Sequence, residues 1–388
     1  MEITEKDYAL WLFNVEGIGN ASADKLLCGG LSCRDVYQMS SKELSKILSQ
    51  KQVLSIERSR HNWDFEREKK KLKEKGIQFI SRIDPIFPEK LKNIPNAPFA
   101  IYVKGRLPDP GVPAVSIVGA RMCSDYGRMM ARQFGRDLAM AGVQVISGMA
   151  RGVDGIAQNA ALSVGGTSFG VLGCGVDICY PPENKEIYDS LVINGGIISE
   201  YPPGMEPIAN FFPMRNRIIS ALSDVLLVVE ARKKSGTQIT VDTALEQGRE
   251  VFAVPGRASD RLSDGCNFLI SQGAGVAISA EDVLDRLWTI KGERSSSHSS
   301  DTKAGEAMKD GCFEDLDPEL LETEMRELTI EEEILGILDI IPVSTSFILE
   351  ELYKKGKEIP VPVLMSTLME LTYSGKIAQN GAYYRKIA

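Results

Sequence analysis

The chain has 388 residues, room for two or three domains at roughly 100–200 residues each. Its 43% hydrophobic and 25% charged content is a globular balance that excludes global disorder. Net charge is −8, from 45 basic and 53 acidic residues, so any polyanion site must be a local groove and not the whole surface.

No apolar run reaches the ~18 residues of a membrane span. The acidic start, Met1-Glu2-Ile3-Thr4-Glu5, lacks the basic n-region of a signal peptide. The expected location is the cytoplasm, with no membrane partner. The 7 cysteines are odd in number and contain no C-x-x-C pair, which argues against a disulfide scaffold or a zinc knuckle. His61 lies in a charged helical stretch and His298 in a serine-rich one, so neither a triad histidine nor a His-ligated metal is expected.

Residues 1–75 read as a helical domain. Helical apolar spacing over 7–27 is interrupted by Gly17-Ile18-Gly19, the pattern of a helix-hairpin-helix whose turn amides can face a phosphate, or of a plain helical hairpin with a tight turn. Residues 57–75 carry Lys69, Lys70, Lys71 and Lys73 among acids and read as a solvated helix. Residues 76–111 form a proline-punctuated connector, with Ile101-Tyr102-Val103 as one short strand.

From Val112 the pattern alternates. Strands are predicted at 114–118, 143–147, 168–172, 196–200, 225–230, 251–254 and 275–278. Helices are predicted at 124–141, 152–164, 184–193, 215–222, 237–247 and 280–288. Continuous apolar strands separated by helices imply an α/β fold, a doubly wound parallel sheet over a core spanning 76–290 with its lead-in. Residues 291–327 carry five bases against eleven acids and read as a mostly disordered linker. Residues 328–388 show helical patterns at 330–339, 346–354 and 361–373, then an Asn380-Gly381 hairpin signal, which is a winged-helix layout. Its net charge of −2 leaves duplex binding and a protein-interaction module both open.

Every predicted strand end in the core carries Gly, Ser or Arg: Gly119-Ala120-Arg121, then Ser147-Gly148-Met149-Ala150-Arg151-Gly152-Val153-Asp154, then Gly173-Cys174-Gly175 with Tyr180-Pro181 nearby. Ser199-Glu200-Tyr201 follows, and Phe212-Pro213-Met214-Arg215-Asn216-Arg217 and Ser235-Gly236-Thr237 each open a helix. Backbone amides and arginine forks suit phosphate oxygens, and in such sheets ligands sit at the carboxyl ends of strands. Met149 and Phe212 can stack on bases or pack the core. There is no G-x-x-x-x-G-K-[ST] and no G-x-G-x-x-G after the first strand, so neither P-loop hydrolysis nor a dinucleotide cofactor is expected.

Taken in order, Val118-Gly119-Ala120-Arg121, Ser147-Gly148-x-Ala150-Arg151-Gly152-Val153-Asp154, Phe212-Pro213-x-Arg215-Asn216-Arg217, Ser235-Gly236-Thr237-x-Ile239-Thr240, Val254-Pro255-Gly256 and Gly265-Cys266-Asn267-x-Leu269-Ile270 resemble the DprA/Smf DNA-processing family. The resemblance implies an extended Rossmann-like core that binds single-stranded DNA as a homodimer. It also implies loading of the RecA recombinase onto strands covered by single-strand-binding protein, in natural transformation or recombinational repair. The carried-over nucleic-acid contacts are Gly119, Ala120, Arg121, Ser147, Gly148, Arg151, Lys185, Arg215, Arg217, Ser235, Gly236 and Thr237. Lys185 is also readable as a plain helix-surface lysine. Dimerisation is expected near Asn267, Phe268, Leu269 and Ile270 on the resemblance alone.

Two positions depart from the family pattern. Gln158 stands where a histidine is common, and Gln238 where a leucine is. No enzyme activity is expected. The competing reading is a nucleotide phosphoribohydrolase similar to the lonely guy proteins, whose loop glutamate would fall on Thr240 here. Glu200 and Glu230 would then be the remaining carboxylates for acid–base work, or structural partners of the arginines. A third reading is a nucleotide-sensing module whose winged helix regulates transcription.

Overall fold

A computed structural model describes residues 3–297, 330–338, 343–354, 357, 360–380 and 383–386. The chain divides into two compact units, 1–298 and 299–388.

The first unit opens with six helices: α1 (Glu5–Phe13), α2 (Asn20–Leu27), α3 (Cys33–Gln38), α4 (Ser41–Leu44), α5 (Gln50–Asn62) and α6 (Phe65–Glu74). The Ser32 and Ser40 hydroxyls cap α3 and α4, each answered by a carboxylate at the third helical position. The charged stretch is two helices, not one, because the chain turns at Trp63 and Asp64 caps α6.

Nine strands follow: β1 (Ile77–Ser81), β2 (Ala100–Gly105), β3 (Ala114–Val118), β4 (Gln144–Ser147), β5 (Ser168–Leu172), β6 (Gly195–Ser199), β7 (Val225–Val228), β8 (Glu250–Ala253) and β9 (Gly275–Val276). They form one sheet in the order β1-β2-β6-β5-β4-β3-β7-β8-β9. All pairings from β6 through to β9 are parallel, whereas β1–β2 and β2–β6 are antiparallel. The connector of the sequence analysis therefore contributes two strands to the sheet, one of them wholly unforeseen.

The helices interspersed among the strands are α7 (Glu89–Lys92), α8 (Asp125–Met140), α9 (Val153–Ser163), α10 (Lys185–Asn194), α11 (Phe211–Leu222), α12 (Gly236–Glu246), α13 (Asp264–Ser271) and α14 (Ala280–Ser297). Val115, Ile117, Val145, Val225 and Leu227 pack under Phe134, Leu138, Ala157 and Val283 of α8, α9 and α14. Ala114, Val118, Ile146, Leu226 and Val228 pack under Ile218, Leu222, Val241 and Leu269 of α11, α12 and α13. Both faces are covered, which is why these strands read as unbroken apolar runs.

The N-terminal 75 residues are not a separate body. Trp11, Leu12, Leu26 and Ile56 share one core with Phe79, Tyr102, Leu191 and Ile197. Asn20 fastens α2 to the sheet, donating to Glu200 at 2.7 Å and accepting from the Phe99 amide at 3.0 Å. The Gly17 carbonyl accepts from Gln52 of α5. Helix α14 runs through 291–297, so the expected linker starts later than the charge run suggests; residues 298–329, including His298, lie outside the described residues.

The second unit contains α15 (Ile330–Ile337), α16 (Thr345–Lys354) and α17 (Val361–Tyr373), with β10 (Val343–Ser344), β11 (Ile377–Asn380) and β12 (Tyr383–Lys386) in a sheet ordered β10-β12-β11. Ile334, Ile348, Leu352, Leu364, Leu368 and Tyr384 form its core. β11 and β12 pair antiparallel as the hairpin signal predicts, although Gly381 lies outside the described residues.

Candidate functional site

The strand order reverses direction of winding between β3 and β7, with β4, β5 and β6 on one side and β8 and β9 on the other. Such a switch point splays the loops apart and leaves a crevice outside the strand ends. A cavity of about 690 Å³ lies there. Gly119, Ala120 and Arg121 after β3 line it, as do Ala150 and Asp154 after β4 and Tyr180 after β5. Phe212 and Arg215 of α11 and Arg232, Ser235, Gly236 and Thr237 after β7 complete most of its wall.

The cavity's cations are of two kinds. Arg121 and Arg232 are exposed, and neither has an ion pair or side-chain hydrogen bond among the described residues. The Arg121 guanidinium stands 5.8 Å from the Phe212 ring centroid. Arg215 is 5% exposed and donates through Nη1 to the carbonyls of Gly148, at 2.7 Å, and Val171. Burial pulls its guanidinium down to about 10, partly offset by Asp154. Asp154 is buried beside it and accepts from the Gly148 amide at 3.1 Å; burial pushes its carboxyl up, and Arg215 pulls it down. This is a clamp that joins the β4 and β5 ends, with the guanidinium forming part of the cavity floor.

Glycines at these loops serve loop-on-loop packing. Gly148 has no room for a Cβ, which would stand 2.7 Å from the Arg215 guanidinium. Gly152 holds φ +74°, and a Cβ there would drive into the Ala120 carbonyl. The cavity's open helix start lies elsewhere. Ser235, Gly236 and Thr237 start the eleven-residue helix α12, the Ser235 hydroxyl is buried without a partner, and the space over Gly236 is open. Free amides and the positive end of the helix dipole thus face the cavity.

An aromatic wall completes the site. Tyr180, 39% exposed, lies 5.4 Å from Phe212 at 37°, and both rings border the cavity. Phe211, the next residue back, stacks on Tyr201 at 4.0 Å.

Of the twelve expected contacts, Gly119, Ala120, Arg121, Arg215, Ser235, Gly236 and Thr237 come together around the cavity; the other five do not line it. The Ser147 hydroxyl is buried and donates to the Ile117 carbonyl at 2.6 Å, and Gly148 is covered by Arg215. Arg217 is turned inward, held by Glu200 with two 2.8 Å bonds and by the Asn96 carbonyl at 3.0 Å. Arg151 and Lys185 are exposed, but each already has a carboxylate, Glu183 and Asp189 respectively. Met149 is fully buried core.

The other residues singled out are also placed. Glu200 is the partner of Arg217, whereas Glu230 pairs with no arginine among the described residues: it accepts from the Ser124 amide and hydroxyl at 2.8 and 2.6 Å, at the start of α8. Thr240 is buried. Gln158 is fully buried; it accepts from the Met149 amide at 3.1 Å and donates to the Phe169 carbonyl at 3.0 Å, tying β4 to β5. Among the four residues expected at a dimer contact, Asn267 bonds both polar groups of Gly256, Leu269 is buried and Ile270 packs on the core. Only Phe268, 39% exposed, offers a substantial free surface, because Leu269 and Ile270 lie on the helix stripe that faces the sheet.

The sequence reading missed Arg232, Asn216 and Ile239 in the lining. The signal was available for Arg232, since the Arg232-Lys233-Lys234 run immediately precedes the Ser-Gly-Thr helix start.

Known proteins resemble this chain in sequence and in fold. Protein Smf of Synechocystis is 39% identical over 221 residues, 56% of this chain and 56% of that protein. DNA processing protein DprA of Streptococcus pneumoniae is 41% identical over 205 residues, 53% of this chain and 72% of that protein. The first alignment thus spans little more than half of the relative's length. The X-ray structure of the pneumococcal DNA processing protein A superposes with a TM-score of 0.64 at 33% identity, over 74% of this chain and 98% of that one. The family model described as DNA recombination-mediator protein A matches residues 78–288, more than half of the sequence and the whole cavity-bearing sheet from β3 to β9. The chain belongs to the DNA recombination-mediator protein A family.

Proposed function

We propose that this protein binds single-stranded DNA without sequence preference, acts as a homodimer, and loads the RecA recombinase onto strands covered by single-strand-binding protein. The observation that carries the reading is the cavity at the β3/β7 switch point. There two unpaired guanidiniums, a helix N-terminus and a wall of exposed Tyr180 and half-buried Phe212 meet. Arginines and amides hold phosphates whatever the base, and aromatic rings accept any base face at roughly 1–3 kcal/mol per stack. A duplex keeps its bases stacked inside and cannot offer them to Tyr180 and Phe212, so the site favours unpaired strands. The family's description as a recombination mediator supports the RecA step.

The role is one of binding, without chemistry. Glu200 and Glu230 are committed to Arg217 and Ser124, and a threonine stands where the lonely guy proteins carry a glutamate. The second unit, with three helices and a three-stranded sheet, is read as a winged helix, and α1–α2 as a helix-hairpin-helix-like pair. A gel-shift titration with a long single strand and a matched duplex, at two salt concentrations, tests the reading. Tight, salt-sensitive preference for the single strand supports it. Equal binding of both, or none, contradicts it.

A further inference from the structure

Cations around the cavity are unequally free. On the β4–β5 side Arg151 and Lys185 already face Glu183 and Asp189, and Lys75 faces Asp177 at 2.6 Å. On the β7–β8 side Arg232, Lys233, Lys234, Arg257 and Arg261 are all exposed, and none has an ion pair among the described residues. Residues 231–236 and 255–264 hold these five bases against two acids, Asp260 and Asp264, a net of +3. Neither acid neutralises a side chain. The Asp264 carboxylate accepts from the Lys233 amide at 2.8 Å, and the Asp260 carboxylate from the Leu262 amide at 2.9 Å.

The two loops form one built surface. The Gly265 amide donates to the Ala231 carbonyl at 2.9 Å, and Asn267 bonds Gly256 in both directions at 3.1 and 2.9 Å. Arg232 and Leu262, one from each loop, both line the cavity. The Lys233 ammonium rests 4.6 Å from the Phe268 ring centroid, which holds its charge at the surface. Unpaired cations on a hydrogen-bonded backbone frame meet a phosphate chain without exchanging a carboxylate, whereas Arg151 and Lys185 must first give one up.

We propose that Arg257 and Arg261, with Arg232, Lys233 and Lys234, form a phosphate track along which a bound DNA strand leaves the cavity over the β8–α13 loop and not over α10. The ligand is then a polynucleotide longer than the cavity, with a defined side of exit. This inference rests on the single-stranded DNA reading.

Salt-dependent binding of a 30-nucleotide oligothymidylate tests it, by fluorescence anisotropy on the full chain. Each single-strand phosphate contact contributes about 0.7 to the slope of log affinity against log salt, or about 5-fold at 0.1 M. The double variant Arg257→Gln/Arg261→Gln should flatten the slope by about 1.4 and weaken binding roughly 25-fold at that salt. Arg257→Lys/Arg261→Lys should restore most of both. Arg151→Gln/Lys185→Gln should lose less than the loop variant. If the loop variant binds with the parent's affinity and slope while Arg121→Ala is impaired, the track is wrong and the cavity reading stands. If Arg121→Ala is also unimpaired, the cavity reading falls and the track with it. Both arginines are exposed and unbonded, so an unfolding midpoint equal to the parent's is expected and confirms a fair comparison.

Discussion

Replacing Arg215 by methionine separates a clamp from a phosphate contact. The guanidinium is buried, supplies Gly148 and Val171 with their donor, and lies beside the buried carboxyl of Asp154. Methionine fills much of the volume but leaves two carbonyls without a donor and one carboxylate without its counter-charge. Removing one member of a buried ionic pair typically costs about 3–5 kcal/mol. At a urea dependence of about 3 kcal/mol per M, the midpoint should fall by roughly 1–2 M. Trp11, Trp63 and Trp288 all lie in the first unit and report its unfolding by fluorescence.

The pH dependence of that variant has a defined sign. Burial raises the Asp154 carboxyl in the fold, so its contribution is present below its unfolded value of about 3.9 and lost as pH rises through the folded one. Loss of Arg215 removes the charge that pulls it down, and the variant's penalty should shrink between pH 7 and pH 5. Adding Asp154→Asn should recover part of the loss. A variant as stable as the parent that has lost DNA binding would refute the clamp and make Arg215 a phosphate ligand after all.

Three further outcomes are expected. Gly152→Ala should destabilise the first unit by about 1–3 kcal/mol, read by the same fluorescence melt, because its φ is +74° and the Ala120 carbonyl blocks a Cβ. Gln158→Leu should cost about 1–3 kcal/mol, since it leaves the buried Met149 amide without the acceptor it has in the fold; hydrogen exchange at Met149 should rise with it. Phe212→Ala should weaken single-strand binding by about 1–3 kcal/mol of stacking in an anisotropy titration, with the salt slope retained.

Six of the parallel strands, β3 to β8, were legible because they are buried almost throughout and read as continuous apolar runs between turn signals, whereas β9 is a two-residue edge strand with Val276 exposed. β1 was hidden, and β2 was read only in part, as Ile101-Tyr102-Val103. They flank a stretch carrying Pro85, Pro88, Pro95 and Pro98, and β1 interrupts its apolar run with exposed Gln78. The cavity's position follows from strand ends alone, as the Gly-Ala-Arg and Ser-Gly-Thr loops show. What the motif could not give was the direction of each arginine. Arg215, Ile218, Ile219 and Leu222 recur at helical spacing and are all buried, so the period itself placed Arg215 inward. The family resemblance outweighed that signal. Charge pairing was equally invisible, because Arg151 and Lys185 meet their carboxylates only in the fold.

The most direct test of the account is the affinity of Arg121→Ala for a long single strand across a salt series, beside the parent protein. Arg121 is exposed, has no ion pair or hydrogen bond among the described residues, and borders the cavity, so the variant should fold as the parent does. The account predicts weaker binding to every sequence and a slope reduced by about 0.7. Unchanged affinity and slope in the folded variant would contradict it.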